Sequence, residues 1–198
     1  MIRVDSLTPQ EIAGKLARPG MVDNPWTASG VRHLRHAAVL VPFLRYDDNT
    51  WHLLYTRRTD TVQDHKGQVS FPGGSTEKSD PDIIATALRE AEEEIGLHPT
   101  DVVVLGKMSP IVTPSHYVIT PVVAVIPAEY TFRPSPQEVD RIFTLPLAWL
   151  ADSNHFQEKM RTHPDGHTSP VIYFNEYDRE LLWGITAYIT LMLIKQIS

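Results

Sequence analysis

The chain of 198 residues has no cysteine, which excludes disulfides, thiolate metal centres and a cysteine nucleophile. It also lacks an apolar run long enough to cross a bilayer. The longest, Leu181 to Ile194 (LLWGITAYITLMLI), has 14 residues against the roughly 18 to 20 required, and reads as a buried C-terminal helix. Basic charge is scarce: 18 Lys and Arg against 24 Asp and Glu leave a net charge of −6. Without a basic stripe, a general nucleic-acid or anionic-membrane surface is excluded. A small polyanionic substrate is compatible with that charge, because a few arginines and a divalent cation can meet it locally. The first residues, MIRVDSLTPQEI, lack the basic start and apolar core of a secretory signal, so the expected location is the cytoplasm. No linker, repeat or low-complexity tract interrupts the chain. One domain over residues 1–198 is expected, with residues 1–32 as an N-terminal helix and arm. The protein is expected to be a monomer or a homodimer, with Trp26 either anchoring the arm or meeting a partner chain.

What the sequence does have is concentrated between Gly73 and Leu97, GGSTEKSDPDIIATALREAEEEIGL. Asp80 as N-cap, Pro81 at the first helical position and Gly96 as stop predict a helix from Pro81 to Ile95. At about 100° per residue, Ile84, Ala87, Leu88, Ala91 and Ile95 share a core-facing side. Glu90, Glu93 and Glu94 fall on another, within one turn, where like charges repel by a few tenths of a kcal/mol per pair. Two readings are open for these carboxylates. One is a solvated acidic face; the other is a site for Mg²⁺ or Mn²⁺, hard cations that take oxygen ligands and retain waters and substrate phosphates.

Arg89 to Leu97, REAEEEIGL, resembles the signature helix of the Nudix hydrolases, in which Arg-Glu-apolar-x-Glu-Glu-x-Gly-apolar recurs. Gly74 resembles the glycine that opens the Nudix box, which here spans residues 73–97. Asp80 occupies the place of a glutamate, and the distance on to Arg89 is one residue longer than usual. A second stretch, Leu53 to Gly74 (LLYTRRTDTVQDHKGQVSFPGG), resembles the segment that marks the coenzyme A pyrophosphatase branch, which carries the same longer box. Leu54, Thr56, Arg58, Gly67 and Phe71-Pro72-Gly73-Gly74 match that pattern. Gln63 replaces its arginine, with Arg57 and Lys66 close in sequence.

The resemblance implies an α/β/α sandwich around a mixed β-sheet, with extra N- and C-terminal helices, and hydrolysis of the diphosphate in coenzyme A or a derivative. It implies Mg²⁺ or Mn²⁺ held by Gly74, Glu90, Glu93 and Glu94, with Glu90, Glu93 and Glu138 as candidates for the general base. Arg89 would orient the glutamates, and Glu77 would support the loop or an outer metal. Arg57, Arg58, Lys66, Phe71, Gly73, Ser115 and Tyr117 would face the substrate. Two alternatives stand beside this reading: a Nudix hydrolase of another dinucleotide such as ADP-ribose or NADH, and a non-catalytic binding module with the same fold.

The remaining elements follow from pattern. Thr8 or Ser6 before Pro9, with Ile12 and Leu16 on one face, predicts a short capped helix. Residues 36–44 and 51–55 read as strands joined by a turn at Asp47-Asp48-Asn49. Arg57 to Lys66 reads as loop, followed by a short strand at Gln68 to Phe71. Val102 to Leu105 and Ile119 to Ile126 read as strands, the second with a bulge or strand start at Pro121. Ser115-His116-Tyr117 is a turn that fits a substrate loop or an ordinary surface turn. Glu138 precedes a short strand and a Pro146-Leu147 helix start. Ala151 to Pro170 reads as a polar loop with His155, His163 and His167 facing solvent, and Val171 to Phe174 as the last strand. Leu182 to Ala187 resembles the Trp-Gly-x-Thr-Ala start of the final helix in the coenzyme A branch.

Overall fold

Strand residues alternate between two apolar layers, and that alternation sets the architecture. In the computed structural model, which describes residues 4–18, 34–59, 67–162, 166 and 168–198, β1 (Arg35–Arg45) and β2 (Trp51–Arg58) form the expected hairpin. Asn49, with φ 61°, closes the turn and donates to the Tyr46 carbonyl. The strands reach further than expected: Arg57 and Arg58 lie on β2 rather than in a loop. Short strands β3 (Val69–Ser70) and β4 (Gly73–Ser75) follow, then α2 (Ile83–Ile95), which comes after the N-terminal α1 (Pro9–Leu16).

Next come β5 (Val103–Lys107), β6 (Ile111–Val112), β7 (Tyr117–Val125), β8 (Val139–Pro146) and the single turn α3 (Leu147–Leu150). The chain ends with β9 (Phe156–Thr162), β10 (Thr168–Phe174) and α4 (Gly184–Ile197). The main sheet runs β3-β2-β1-β7-β5, with β8 on β2, β4 on β1 and β6 on β7; β1 and β7 are parallel and the other pairings antiparallel. On one face Val41, Phe43, Leu53, Tyr55 and Val123 pack against α1, α3 and α4; on the other Ala38, Leu40, Leu54, Val122 and Ala124 pack against α2. This is the α/β/α sandwich around a mixed sheet. Among the described residues, no helix is long and apolar enough to cross a membrane.

Several expectations are corrected. The helix of the glutamate cluster starts two residues later, because Asp82 rather than Asp80 caps it, accepting from the Ile84 and Ala85 amides at 2.8 and 2.9 Å. Gly96 does stop it, in the left-handed region at φ 67°. Thr8 caps α1, in a capping box with Glu11. The strand β7 continues through Pro121 without a bulge; the irregularity is on its neighbour β5 between Val104 and Gly106. The Pro121 carbonyl accepts from Met108, which joins β5 to β6, so the missing N–H faces that connection and removes no ladder bond. The polar stretch before Pro170 is not a loop but the β9–β10 hairpin. His155 stacks on Trp149 at 4.6 Å and bonds its carbonyl at 2.9 Å, so it does not simply face solvent. Trp26, Gln63, Lys66, His163 and His167 lie outside the described residues.

One local device positions the candidate site. β1 and β2 pair only at Phe43–Arg45 and then diverge. Residues 69–75 fill the gap, with β3 on β2, β4 on β1, and the Pro72 carbonyl accepting from Leu40 at 2.8 Å. The double glycine therefore sits inside the sheet, against the end of α2. Gly73 needs its missing side chain, since a Cβ there would meet the Ala38 carbonyl at 2.3 Å and the Val39 Cα at 2.6 Å.

Asp82→Ala is expected to lower unfolding free energy by about 1 kcal/mol, the usual worth of a side-chain N-cap, as read from denaturant titration.

Candidate active site

Arg89 organises the carboxylates. Its Nε donates to Asp80 Oδ1 at 3.0 Å and one Nη2 hydrogen to Asp80 Oδ2 at 3.1 Å, while Nη2 also reaches the Ser75 carbonyl at 3.0 Å. Its Nη1 pairs with Glu90 Oε1 and Glu93 Oε2, each at 3.0 Å. Four of its five donors are hydrogen-bonded, to Asp80, Glu93 and Ser75, and Glu90 is held as an ion pair. Asp80 is also bonded by the Glu77 amide and the Thr86 hydroxyl. Arg89 above all, then the Glu77 amide, hold the Asp80 carboxyl well below the usual carboxylate range.

The three glutamates differ in setting. Glu93 is exposed and Glu90 half-buried, but Glu94 is 4% exposed and turned toward the sheet. Its Oε2 accepts from the Gly73 amide at 3.3 Å and its Oε1 faces Arg58 Nη1 at 3.6 Å. Thus Glu94 belongs to the buried side of α2 with Thr86, Ala87, Ala91 and Ile95. Burial pushes the Glu94 carboxyl up to about 8, with the charges of Glu138 and Glu90 adding to it and Arg58 opposing. Burial also raises Glu90, again with Glu138 among its acidic neighbours. Glu90 lies directly against Gly74: a Cβ on that glycine would be 2.5 Å from the carboxylate.

On the α4 side of the same glycines opens a cavity of about 550 Å³, within the ~300–1,000 Å³ usual for small-ligand sites. Arg58, Gly73 and Gly74 border it, and so do Phe71, Ser115 and Tyr117. Phe71 is buried and stacks on Tyr55 at 4.7 Å. The Ser115 hydroxyl bonds that of Thr113 at 3.0 Å, and Arg35 lies 5.0 Å from the Tyr117 ring. Glu90, Glu93, Glu94 and Glu138 are not part of its wall; they stand behind the glycines on the α2 side. Arg57 is not brought to this cluster. Its guanidinium is committed to Asp140, through a close double contact, and to Glu180 at 3.2 Å.

Whether these residues suit a divalent cation is decided by donor chemistry and charge. Among the described residues, no three acidic or histidine side chains already converge as a ligand group. Glu90 and Glu93 turn to Arg89 and Glu94 to Arg58. The donors are nevertheless all hard oxygens, and burial crowds their negative charge enough to raise two of them. A cation bound there would relieve that crowding, which fits Mg²⁺ or Mn²⁺.

The sequence reading missed the part of the wall contributed by the C-terminal half: Arg161 of β9, Val171 of β10, and Trp183, Ile185 and Ile189 at the start of α4. The Trp183-Gly184 motif was a usable signal for α4. The polar stretch Gln157 to Thr162 carries no such signal for the hairpin, because its residues are exposed throughout.

The NUDIX domain family matches residues 34–165. The Nudix hydrolase NudL of Photorhabdus laumondii, described as uncharacterized, is 41% identical over 166 residues, covering 83% of this chain and 86% of that protein. The protein of the same name from Yersinia pestis is 39% identical over 164 residues, covering 83% and 80%. A MutT/nudix family protein from Enterococcus faecalis superposes with a TM-score of 0.53 at 12% identity, over 87% of this chain and 65% of that one. RenU, a Nudix hydrolase of M. smegmatis, superposes with a TM-score of 0.50 at 17% identity, over 60% and 74%. At these identities the two structures speak for the fold alone.

Metal-free protein is expected to lose stability as pH rises from about 4.5 to about 8. Over that range the folded chain retains a proton on Glu94 that the unfolded chain has released, so each step upward favours unfolding. Denaturant midpoints measured in EDTA across this range should fall for wild type and stay flatter for Glu94→Gln; parallel curves would refute the burial of an ionisable Glu94.

Proposed function

The chain belongs to the Nudix hydrolase family, and we propose that its substrate is coenzyme A or an acyl derivative, cut at the diphosphate to give 3′,5′-ADP and (acyl)phosphopantetheine. The observation that carries this reading is the two-sided glycine pair. Crowded, partly buried carboxylates stand on one side of Gly73-Gly74, and a largely apolar cavity bordered by Arg58 opens on the other. Such a site suits a substrate that joins a charged diphosphate to a bulky, less polar moiety. The Leu53 to Gly74 pattern supports the same branch.

In this mechanism Glu90, Glu93 and Glu94, with the Gly74 carbonyl, would hold Mg²⁺ or Mn²⁺. The bound metal would neutralise the diphosphate and lower the pKa of a coordinated water. Arg89, bonded to Asp80, Glu93 and the Ser75 carbonyl and ion-paired with Glu90, orients carboxylates rather than touching substrate. Arg58 lies at the cavity edge beside Glu94, where its fork suits a phosphate oxygen; on substrate entry it exchanges one anionic partner for another. Phe71 forms an apolar wall beside the glycines and excludes bulk water. The proton of the attacking water passes to one of Glu90, Glu93 or Glu138. Glu138 is the one of these whose carboxylate is not paired to Arg89. Gln63, at the branch arginine's place, favours keeping ADP-ribose as the comparison substrate.

Wild-type protein with Mg²⁺ or Mn²⁺ is expected to release 3′,5′-ADP from coenzyme A. Glu90→Gln should lower kcat/KM at least about 100-fold, no less than the loss common for groups that merely support a metal ligand. Chromatography of products from coenzyme A and ADP-ribose in parallel decides the matter. Cleavage of ADP-ribose with coenzyme A intact would keep the family chemistry and remove the proposed substrate.

A further inference from the structure

The β9–β10 hairpin presents two neighbouring cations, of which Arg161 lines the cavity. Lys159 and Arg161 are two apart on β9, so they share a face. Their antiparallel partners, Val171 and Ser169, carry no charge. Glu158 and Met160 alternate to the opposite face. Lys159 Nζ lies 5.6 Å from the Tyr173 ring and the Arg161 guanidinium 5.0 Å from the Trp183 ring. Tyr173 and Trp183 themselves stack, with ring planes 5° apart and centroids at 5.7 Å. Aromatic faces hold these cations without consuming their N–H donors, and among the described residues neither cation is ion-paired. In a chain of net charge −6, they set two cations side by side on one face of the hairpin. Arg161, Val171, Trp183 and Gly74 all line one cavity, so a single ligand reaches from the glycine pair to the hairpin.

We propose that Arg161, with Lys159 beside it, is a second phosphate subsite, receiving a phosphate remote from the scissile diphosphate. A guanidinium keeps its charge at any working pH and offers a planar fork matched to phosphate oxygens. Trp183 acts as a positioning residue, fixing the Arg161 plane, with Tyr173 behind it. The subsite rests on the reading that the substrate is coenzyme A, whose 3′-phosphate is the group it would take, and makes the hairpin the element that selects a 3′-phosphorylated nucleotide over one without it.

The test is direct binding of 3′,5′-ADP and 5′-AMP, by calorimetry at low ionic strength without metal. Wild type should prefer 3′,5′-ADP by about 10-fold or more, the scale of one hydrogen-bonded charge pair. Arg161→Ala should bring the preference close to one, Arg161→Lys should restore part of it, and added salt should shrink it. Met160→Ala, on the opposite face, should keep the wild-type preference. Arg161 is exposed, and its alanine variant is checked for folding by thermal melting. Equal or undetectable binding of the two nucleotides by wild type, or an intact preference in Arg161→Ala, would overturn the subsite. Coenzyme A hydrolysis, assayed separately, distinguishes the two conclusions. Preference without turnover leaves the subsite standing and removes the proposed reaction; turnover without preference does the reverse.

Discussion

Everything at the glycine pair depends on one guanidinium shared among three carboxylates. Arg89 joins the end of β4 through Ser75, the following turn through Asp80, and the helix itself through Glu90 and Glu93. Without a fixed cation at this point, four acidic side chains would crowd a partly buried volume, and each would favour protonation or a different rotamer. Because arginine keeps its charge across the working pH range and Asp80 stays ionised well below the usual carboxylate range, their contact persists throughout it. The bidentate contact to Asp80 also explains why that residue is not the helix cap. Its oxygens are spent on Arg89, Thr86 and Glu77, and the neighbouring Asp82 takes the free amides of α2 instead.

The second determinant is the divergence of β1 from β2. A continuous hairpin would close the sheet and separate its two cores. The wedge of residues 69–75 instead places bare glycine backbone between the α2 layer, with its carboxylates, and the α4 layer, with its cavity. Glycine suits that place for steric reasons, since at both positions a Cβ would collide, with backbone at Gly73 and with the Glu90 carboxylate at Gly74. Polar chemistry and an apolar binding volume are thereby held a backbone's width apart.

Charge is distributed by strand geometry. Arg57 and Arg58 are neighbours in sequence, yet successive residues of a strand point to opposite faces, and a bulge against β8 falls between them. Arg58 reaches Glu94 and the cavity edge. Arg57 joins Asp140, Arg141 and buried Glu180 in a network that pins β2 and β8 to the turn before α4. That network holds the α4 start, and with it Trp183, in place beside the hairpin.

Local signals were sufficient for much of this. The spacing of Arg89, Glu90, Glu93 and Glu94, the stop at Gly96, the turn at Asn49 and the cap at Thr8 each depend on residues within a few positions, so the sequence determined them. The layered fold followed from the family resemblance, with the apolar runs of β1, β2 and β7 and the apolar face of α2 agreeing with it. Other features rest on contacts between residues far apart in the chain. That Glu94 is buried follows from where β4 and Arg58 lie; that Asp80 yields the cap follows from Arg89; that Arg57 leaves the site follows from Asp140 and Glu180. The hairpin of Arg161 was illegible because exposed polar strands carry no hydrophobic alternation, and its pairing exists only once β10 is anchored by Val171 and Phe174 in the core. Sequence fixes which groups are available and their local spacing, while burial and charge pairing are properties of surroundings, and those are set only when distant segments pack together.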